Sequence, residues 1–226
     1  MMNHLLDNIA WQALSGPQSA HSTGTKESRR YAQGFSPIVG FVNPERPDFD
    51  ALNPYCTADE HFYCAGWSGV APAGWHIDAE TTMYKMLWDA GTAPEDDVLE
   101  AIALGPEHAQ QALDLATLTK PGPFGLRTLE LGEYFGCFDG QRLIAMAGER
   151  MFAGTLREIS GVCTHPDFQG RGLARRLMVK LIHRQMARGE TPFLHVMREN
   201  RGAHQLYERM GFHNYCETIV RVVSPC

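Results

Sequence analysis

The sequence contains no C-x-x-C pair. Its six cysteines, Cys56, Cys64, Cys137, Cys163, Cys216 and Cys226, are scattered, and none has a histidine at metal-ligand spacing, so no zinc site is expected and reduced thiols are. The ten histidines form no H-E-x-x-H helix. His195, His204 and His213 fall on different elements and read as surface or packing residues, and no metal is expected at all. No apolar run approaches the ~18 residues of a membrane helix, and Met1-Met2-Asn3-His4-Leu5-Leu6-Asp7 lacks the charged start and apolar core of a signal peptide. A cytoplasmic location with no membrane partner is the expectation. Excess positive charge is missing too: a formal net charge of −6 argues against a nucleic-acid partner, because phosphate contacts need a basic face. What is present, 44% hydrophobic and 20% charged residues in a chain of 226, suffices for one large domain or two small ones.

The most informative residues are Gln169-Gly170-Arg171-Gly172-Leu173-Ala174, between the end of a predicted strand and a basic helix. Two glycines at a helix entrance let several backbone N–H groups converge, and the positive end of the helix dipole favours a pyrophosphate there. A Walker A loop is excluded, since Gly172 is followed by Leu173-Ala174 and not by Lys-Ser/Thr. A dinucleotide fingerprint fits poorly: Arg175 stands where its third glycine belongs, and Glu190 precedes the next strand when a ribose-binding acid should end it.

What remains is Q-x-x-G-x-A, followed about thirty residues later by Asn200, Ala203, Leu206-Tyr207-Glu208 and Gly211-Phe212. Together these resemble the GNAT superfamily of acyl-CoA-dependent N-acyltransferases, over roughly residues 100–223. Val162-Cys163-Thr164-His165-Pro166 and Leu206-Tyr207-Glu208 look most like the branch of glycine N-acyltransferase-like domains. The resemblance implies acetyl-CoA as the acyl donor. It places the coenzyme A pyrophosphate on the amides of Gln169, Gly170, Arg171, Gly172, Leu173 and Ala174, the thioester and pantetheine arm along Val162, Cys163 and Thr164, and further pantetheine contacts at Asn200 and Ala203. On the basic face of the following helix, Arg175 or Arg176 stands nearest the loop and is the candidate for the 3′-phosphate, with a solvated helix face as the alternative.

Acyl transfer to an amine needs a base for the ammonium and an acid for the departing thiolate. Tyr207 matches the tyrosine that fills the second role in many family members, and its hydroxyl is protonated at neutral pH. A helical packing role is the alternative for Tyr207, and an N-cap for Asn200. Glu158, eleven positions before Gln169, is the first candidate base, with a solvated strand-end charge as its alternative. Glu149 is the second, with an ion pair to Arg150 or Arg157 as its alternative, and ordered water is the third. A covalent acyl-Cys163 is rejected, because no histidine is evidently placed to activate it. The acceptor is expected to be a small amine or amino acid. Phe124, in the loop 119–127, either lines its pocket or anchors the loop. The rival reading from another class is a catalytically idle acyl-CoA-binding sensor or scaffold. Oligomeric state is open, a homodimer included.

Along the chain, Asp139-Gly140 predicts a hairpin between Tyr134–Phe138 and Arg142–Arg150, and a turn at Ala153-Gly154 leads to a third strand ending near Thr164. A helix from Gly172 to Arg188, a strand Phe193–Met197, a helix around Ala203–Met210 and a strand near Tyr215–Val223 follow. Upstream lie a strand Glu100–Leu104 and a helix running to about Leu118. The fold class expected is therefore α/β, a mixed sheet covered by helices, which agrees with the GNAT fold. Residues 1–98 are expected to form a further α/β region, either a degenerate half of the same fold or an extension covering one sheet edge. It carries a helix at Leu5–Leu14 and strand candidates at Pro37–Val42, Phe62–Trp67 and Met83–Trp88. The acidic segment Gly91-Thr92-Ala93-Pro94-Glu95-Asp96-Asp97 serves as the boundary to the acyltransferase region 99–226.

Overall fold

Two glycines set the antiparallel meander at the middle of the chain. Gly140 (φ 60°) and Gly154 (φ 57°) each occupy the first position of a two-residue turn, where a positive φ matches the twist of the flanking strands. In the computed structural model, which describes residues 3–92 and 100–226, these turns join three long strands of one large sheet.

In chain order the regular elements are α1 (Ile9–Ser15), β1 (Ser22–Gly24), β2 (Ser28–Tyr31), β3 (Val39–Phe41), β4 (Phe62–Ala65), β5 (Trp75–Trp88), β6 (Ile102–Ala103), α2 (Ala109–Thr119), β7 (Tyr134–Asp139), β8 (Arg142–Ala153), β9 (Leu156–Thr164), α3 (Leu173–Ala187), β10 (Thr191–Met197), α4 (Arg201–Arg209) and β11 (Phe212–Pro225). The elements expected from the sequence are present within a few residues, except that β5 begins at Trp75, eight residues before the expected Met83. The first helix is split into a 3₁₀ turn (Asn3–Asn8) and α1, the strand before α2 shrinks to β6, and the polar stretch 16–30 supplies β1 and most of β2. Strands β1–β3 form a small antiparallel sheet. The other eight form a mixed sheet in the order β4-β11-β5-β10-β9-β8-β7-β6, in which only the β9–β10 pair is parallel.

The N-terminal strands are not set apart from the rest. β5 lies between β10 and β11, bonded to both, and β4 closes the sheet beyond β11. Residues on both sides of the expected 98/99 division thus build one sheet. The reason lies in β5 itself: Met86 and Leu87 point to opposite faces and both are buried, as a central strand requires. Of the expected boundary segment, residues 93–97 lie outside the described residues.

Side-chain alternation sends neighbouring residues into different cores. Met86, Leu194 and Ile159 pack with Leu177, Leu181 and Ile182 of α3 and Tyr207 of α4. Leu87, Phe193 and Leu156 pack on the other face with Ile9, Ala13 and Leu14 near α1, and α2 covers β8 and β9 beside them through Ala112, Leu115 and Ala116. Among the described residues no helix is long and apolar enough to cross a membrane.

α1 sits close on β3 because Gly40 has no side chain. A Cβ there would fall 2.8 Å from the Trp11 backbone nitrogen and 2.9 Å from the Ala10 carbonyl carbon. Backbone cannot give way as a flexible side chain does, so Gly40→Ala is expected to destabilise the protein by about 1–3 kcal/mol, read as a lowered urea midpoint. An unchanged midpoint would mean that the helix is free to lift.

Candidate active site

The parallel strands β9 and β10 pair only from Leu156 with Thr191 to Glu158 with Phe193. Beyond that point β10 stays with β5, as far as Met197 opposite Met83, while β9 stays with β8, as far as Thr164 opposite Ala145. Gly161, at φ 63°, carries the irregularity in β9 that accompanies the divergence, with Tyr134 and Phe124 packed against it. A cavity of about 260 Å³ opens in the fork. Its walls include Ile159, Ser160, Gly161 and Val162 of β9, and His195, Val196 and Met197 of β10. Asn200, Ala203 and Tyr207 line it from the α4 side, whereas Lys85, Arg150, Met151 and residues 7–10, 38–41 and 120–123 line it from the α1 side. The N-terminal residues are therefore part of the cavity wall.

Of the site residues expected from the sequence, Val162, Asn200, Ala203 and Tyr207 meet at this cavity. Asn200 caps α4 by accepting from Ala203 N–H (3.2 Å) and also lines the cavity, so the cap leaves it in place for a second contact. Tyr207 is buried, and burial pushes its hydroxyl up to about 12, so it is a proton donor at neutral pH. Cys163 and Thr164 continue β9 towards the loop without lining the cavity. The Cys163 thiol is raised to about 11 by burial, which agrees with rejecting it as a nucleophile.

The loop Gln169–Ala174 follows a short 3₁₀ turn; the Gln169 side chain reaches back from Nε2 to the Thr164 carbonyl (3.5 Å), and the Gln169 backbone N–H, expected to face the pyrophosphate, donates instead to the Pro166 carbonyl (3.3 Å). Gly170 (φ 76°) and Gly172 (φ 74°) both take the left-handed conformation, and nothing lies within 4 Å of where their Cβ atoms would be. The first helical bond runs from Arg176 N–H to the Gly172 carbonyl (3.1 Å), leaving the amides of Leu173, Ala174 and Arg175 at the open end of α3. Positive φ, open space and free helix-end donors fit a pyrophosphate. Arg171 lies over the Phe168 ring, and Arg175 is exposed on the first turn of α3.

The two candidate bases need correction. Glu158 is neither a solvated charge nor part of the cavity wall: it is 1% exposed. Its carboxylate accepts two bonds from Arg150 (2.6 and 3.0 Å), one from Met151 N–H (3.1 Å) and one from His195 Nδ1 (2.7 Å). Burial alone would raise its pKa, but Arg150 and His195 outweigh that and hold it at about 2, too low for useful proton abstraction. Glu149, one residue from Arg150, points to the opposite face of the sheet, where Arg188 and Gln185 bind it and Arg157 approaches to 4.0 Å. It belongs to a network with Glu133, Arg184 and Glu190, away from the cavity. The ion-pair alternative was right for Glu149, through Arg157 and not Arg150. Phe124 stands edge-on to Tyr134 and anchors its loop, while Lys120–Pro123 face the cavity.

His195 and Lys85 were missed. Each is a titratable residue within an apolar strand, Phe193-Leu194-His195-Val196-Met197 and Met83-Tyr84-Lys85-Met86-Leu87, and that interruption was the available signal.

The comparisons with known proteins agree with this geometry. A crystal structure from Novosphingobium aromaticivorans, of a protein assigned to the GNAT family of acetyltransferases, is 33% identical, with 99% of each chain covered and a TM-score of 0.88. The chain belongs to the GNAT family of acetyltransferases. The FR47-like protein family model matches residues 134–222, the part that holds the meander, the loop and both C-terminal helices. GNAT folds from Kribbella flavida (a GCN5-related N-acetyltransferase; 15% identity, 97% and 96% coverage, TM-score 0.61) and Streptococcus suis (a GCN5-related N-acetyltransferase-like protein; 16%, 96% and 92%, 0.60) extend the fold likeness to the N-terminal half. The likeness to the glycine N-acyltransferase branch gains nothing from these matches. No curated protein sequence matches the chain.

The buried Arg150–Glu158 pair has a pH signature. Its carboxyl pKa falls from 4.5 to about 2 on folding, so the pair's stabilisation is complete above pH 4.5 and is lost as the pH drops through about 2. Glu158→Gln leaves Arg150 buried without its counter-charge, at a cost of about 3–5 kcal/mol. Urea unfolding between pH 7 and 2 is expected to show that cost at neutral pH and a shallower acid loss in the variant; parallel curves would contradict the assignment.

Proposed function

We propose that this GNAT protein transfers an acetyl group from acetyl-CoA to the primary amine of a small molecule or amino acid, by direct attack in a ternary complex. The observation that carries this reading is the fork between β9 and β10. It joins the α4 side of the sheet, where Tyr207 lies, to the α1 side, where the acceptor has its own walls. Bound acetyl-CoA supplies the acyl group already activated as a thioester.

The residues of this chain divide the remaining work. The amides of loop residues 170–174 and the start of α3 hold the pyrophosphate, with Arg175 near the 3′-phosphate. The backbone of Val162, Cys163 and Thr164 guides the pantetheine arm along the free edge of β9, where no β10 partner competes for its N–H and C=O groups. Asn200 and Ala203 face the same arm. Tyr207 delivers a proton to the leaving sulfur, a role its raised pKa permits. Enclosure of the acceptor side by residues 7–10, 38–41 and 120–123 favours a small acceptor over a protein tail. A cytoplasmic site of action, without nucleic-acid or membrane partners, completes the reading. The GNAT resemblance also leaves room for a homodimer.

The test is mass spectrometry of a pool of amines, amino acids and short peptides incubated with acetyl-CoA and either wild type or Tyr207→Phe. Wild type is expected to give an acetylated product, and the variant to lower kcat by roughly 10²-fold or more while still binding acetyl-CoA. A chain that binds acetyl-CoA yet acetylates nothing would instead be a sensor or scaffold. A chain that neither binds nor reacts would refute the cofactor assignment. Independently, Gly172→Val is expected to abolish the rise in melting temperature that acetyl-CoA gives wild type, because a branched residue resists φ 74°.

A further inference from the structure

The mechanism above leaves one buried, titratable pair at the cavity unused. His195 is about 10% exposed and lines the cavity, and its Nδ1 lies 2.7 Å from Glu158 Oε1. An ionised carboxylate only accepts hydrogen bonds, so Nδ1 carries the hydrogen, and in the neutral ring the lone pair sits on Nε2. Glu158 cannot turn away, because Arg150 and Met151 N–H hold both its oxygens. Directly across the strand pair, Lys85 stands opposite His195 on the same face of the sheet. Lys85 is buried, donates to the Leu6 and Asp7 carbonyls (2.7 Å each), and also lines the cavity.

We propose that His195 is the base that accepts the acceptor ammonium's proton and that Glu158 fixes its tautomer and orientation. This rests on the acetyl-transfer reading. The ammonium gives one proton to Nε2, which passes it to solvent, and the freed lone pair forms the N–C bond. As the C–S bond breaks, the Tyr207 hydroxyl protonates the sulfur, and the second proton shed by the nitrogen restores that hydroxyl through solvent.

The charged groups facing His195 are Glu158 of β9, Arg150 of β8 and Lys85 of β5, with Asp7 and Cys216 next to Lys85. Burial lowers the imidazole's pKa most, the Glu158 bond raises it, and Arg150 and Lys85 lower it; the net direction is down, so the ring is neutral at physiological pH. Burial likewise lowers the Lys85 ammonium. The Glu158 candidate drawn from the sequence is thus one hydrogen bond from the group that does the work.

The test uses the acceptor that wild type acetylates fastest from the amine pool. His195→Gln is expected to lower kcat/KM by ~10²-fold or more at pH 7, with acetyl-CoA affinity intact. The deficit should shrink as the pH rises past the acceptor amine's own pKa, since a pre-deprotonated amine needs no base. A deficit constant with pH, or no deficit, overturns the proposal. Nitrogen NMR of wild-type His195 checks the tautomer: a neutral ring protonated on Nδ1 at pH 7 supports the proposal, and a ring that is doubly protonated, or protonated on Nε2 alone, overturns it. Absence of any product from wild type would instead refute the acetyl-transfer reading, a failure distinct from that of His195.

Discussion

After Glu158 and Phe193 pair, β9 and β10 separate, and the rest of the molecule is arranged around that separation. A parallel pair that stops short leaves unpaired main-chain donors and acceptors inside a protein, which is costly unless something else satisfies them. Here the strands keep their outer partners, β8 and β5, so each has only one free edge. In the proposed function that free edge is the surface against which an extended thioester arm lies as a partial strand. The same gap joins the α3/α4 side of the sheet to the α1/α2 side, so donor and acceptor can approach one carbon from opposite directions.

Charge placement follows from strand parity. On β8, Glu149 and Arg150 are adjacent and therefore face opposite ways. Glu149 joins the Arg157, Arg184, Arg188 and Glu190 network that ties α3 to the sheet, while Arg150 reaches Glu158 beside the fork. A buried carboxylate with a guanidinium on both oxygens is a rigid mount, and the imidazole of His195 is attached to it. Shape and proton chemistry are thus fixed at the same point of the sheet.

The N-terminal half shares in this site. Lys85 comes from the central strand β5, and the segments around α1 and β3 close the acceptor side. The half matched by the FR47-like model from residue 134 is thereby completed by a segment outside that match. It is on these outer walls that acceptor selectivity has to be built.

Much of this was legible locally. The loop Gln169–Ala174, its two glycines, the amphipathic helix behind it and the Asn200-to-Phe212 block are short-range patterns, because anion binding at a helix start needs only neighbouring residues. Tyr207 was readable for the same reason, as part of one helix. The base was not. Glu158 and His195 are 37 residues apart, and whether a strand-borne carboxylate is solvated or locked depends on which strand lies beside it. The place of Lys85 opposite His195 was equally hidden, since Met83–Trp88 looks like an ordinary apolar strand until it is inserted between β10 and β11. The sequence by itself determined most of the elements, their order and the glycine loop at the start of α3, all set by local conformational preference and spacing. Only the tertiary structure decided that the two halves share one sheet, and that the carboxylate expected to act as base is buried against Arg150 with a histidine between it and the cavity. Strand order and burial arise from long-range pairing, which no local pattern encodes.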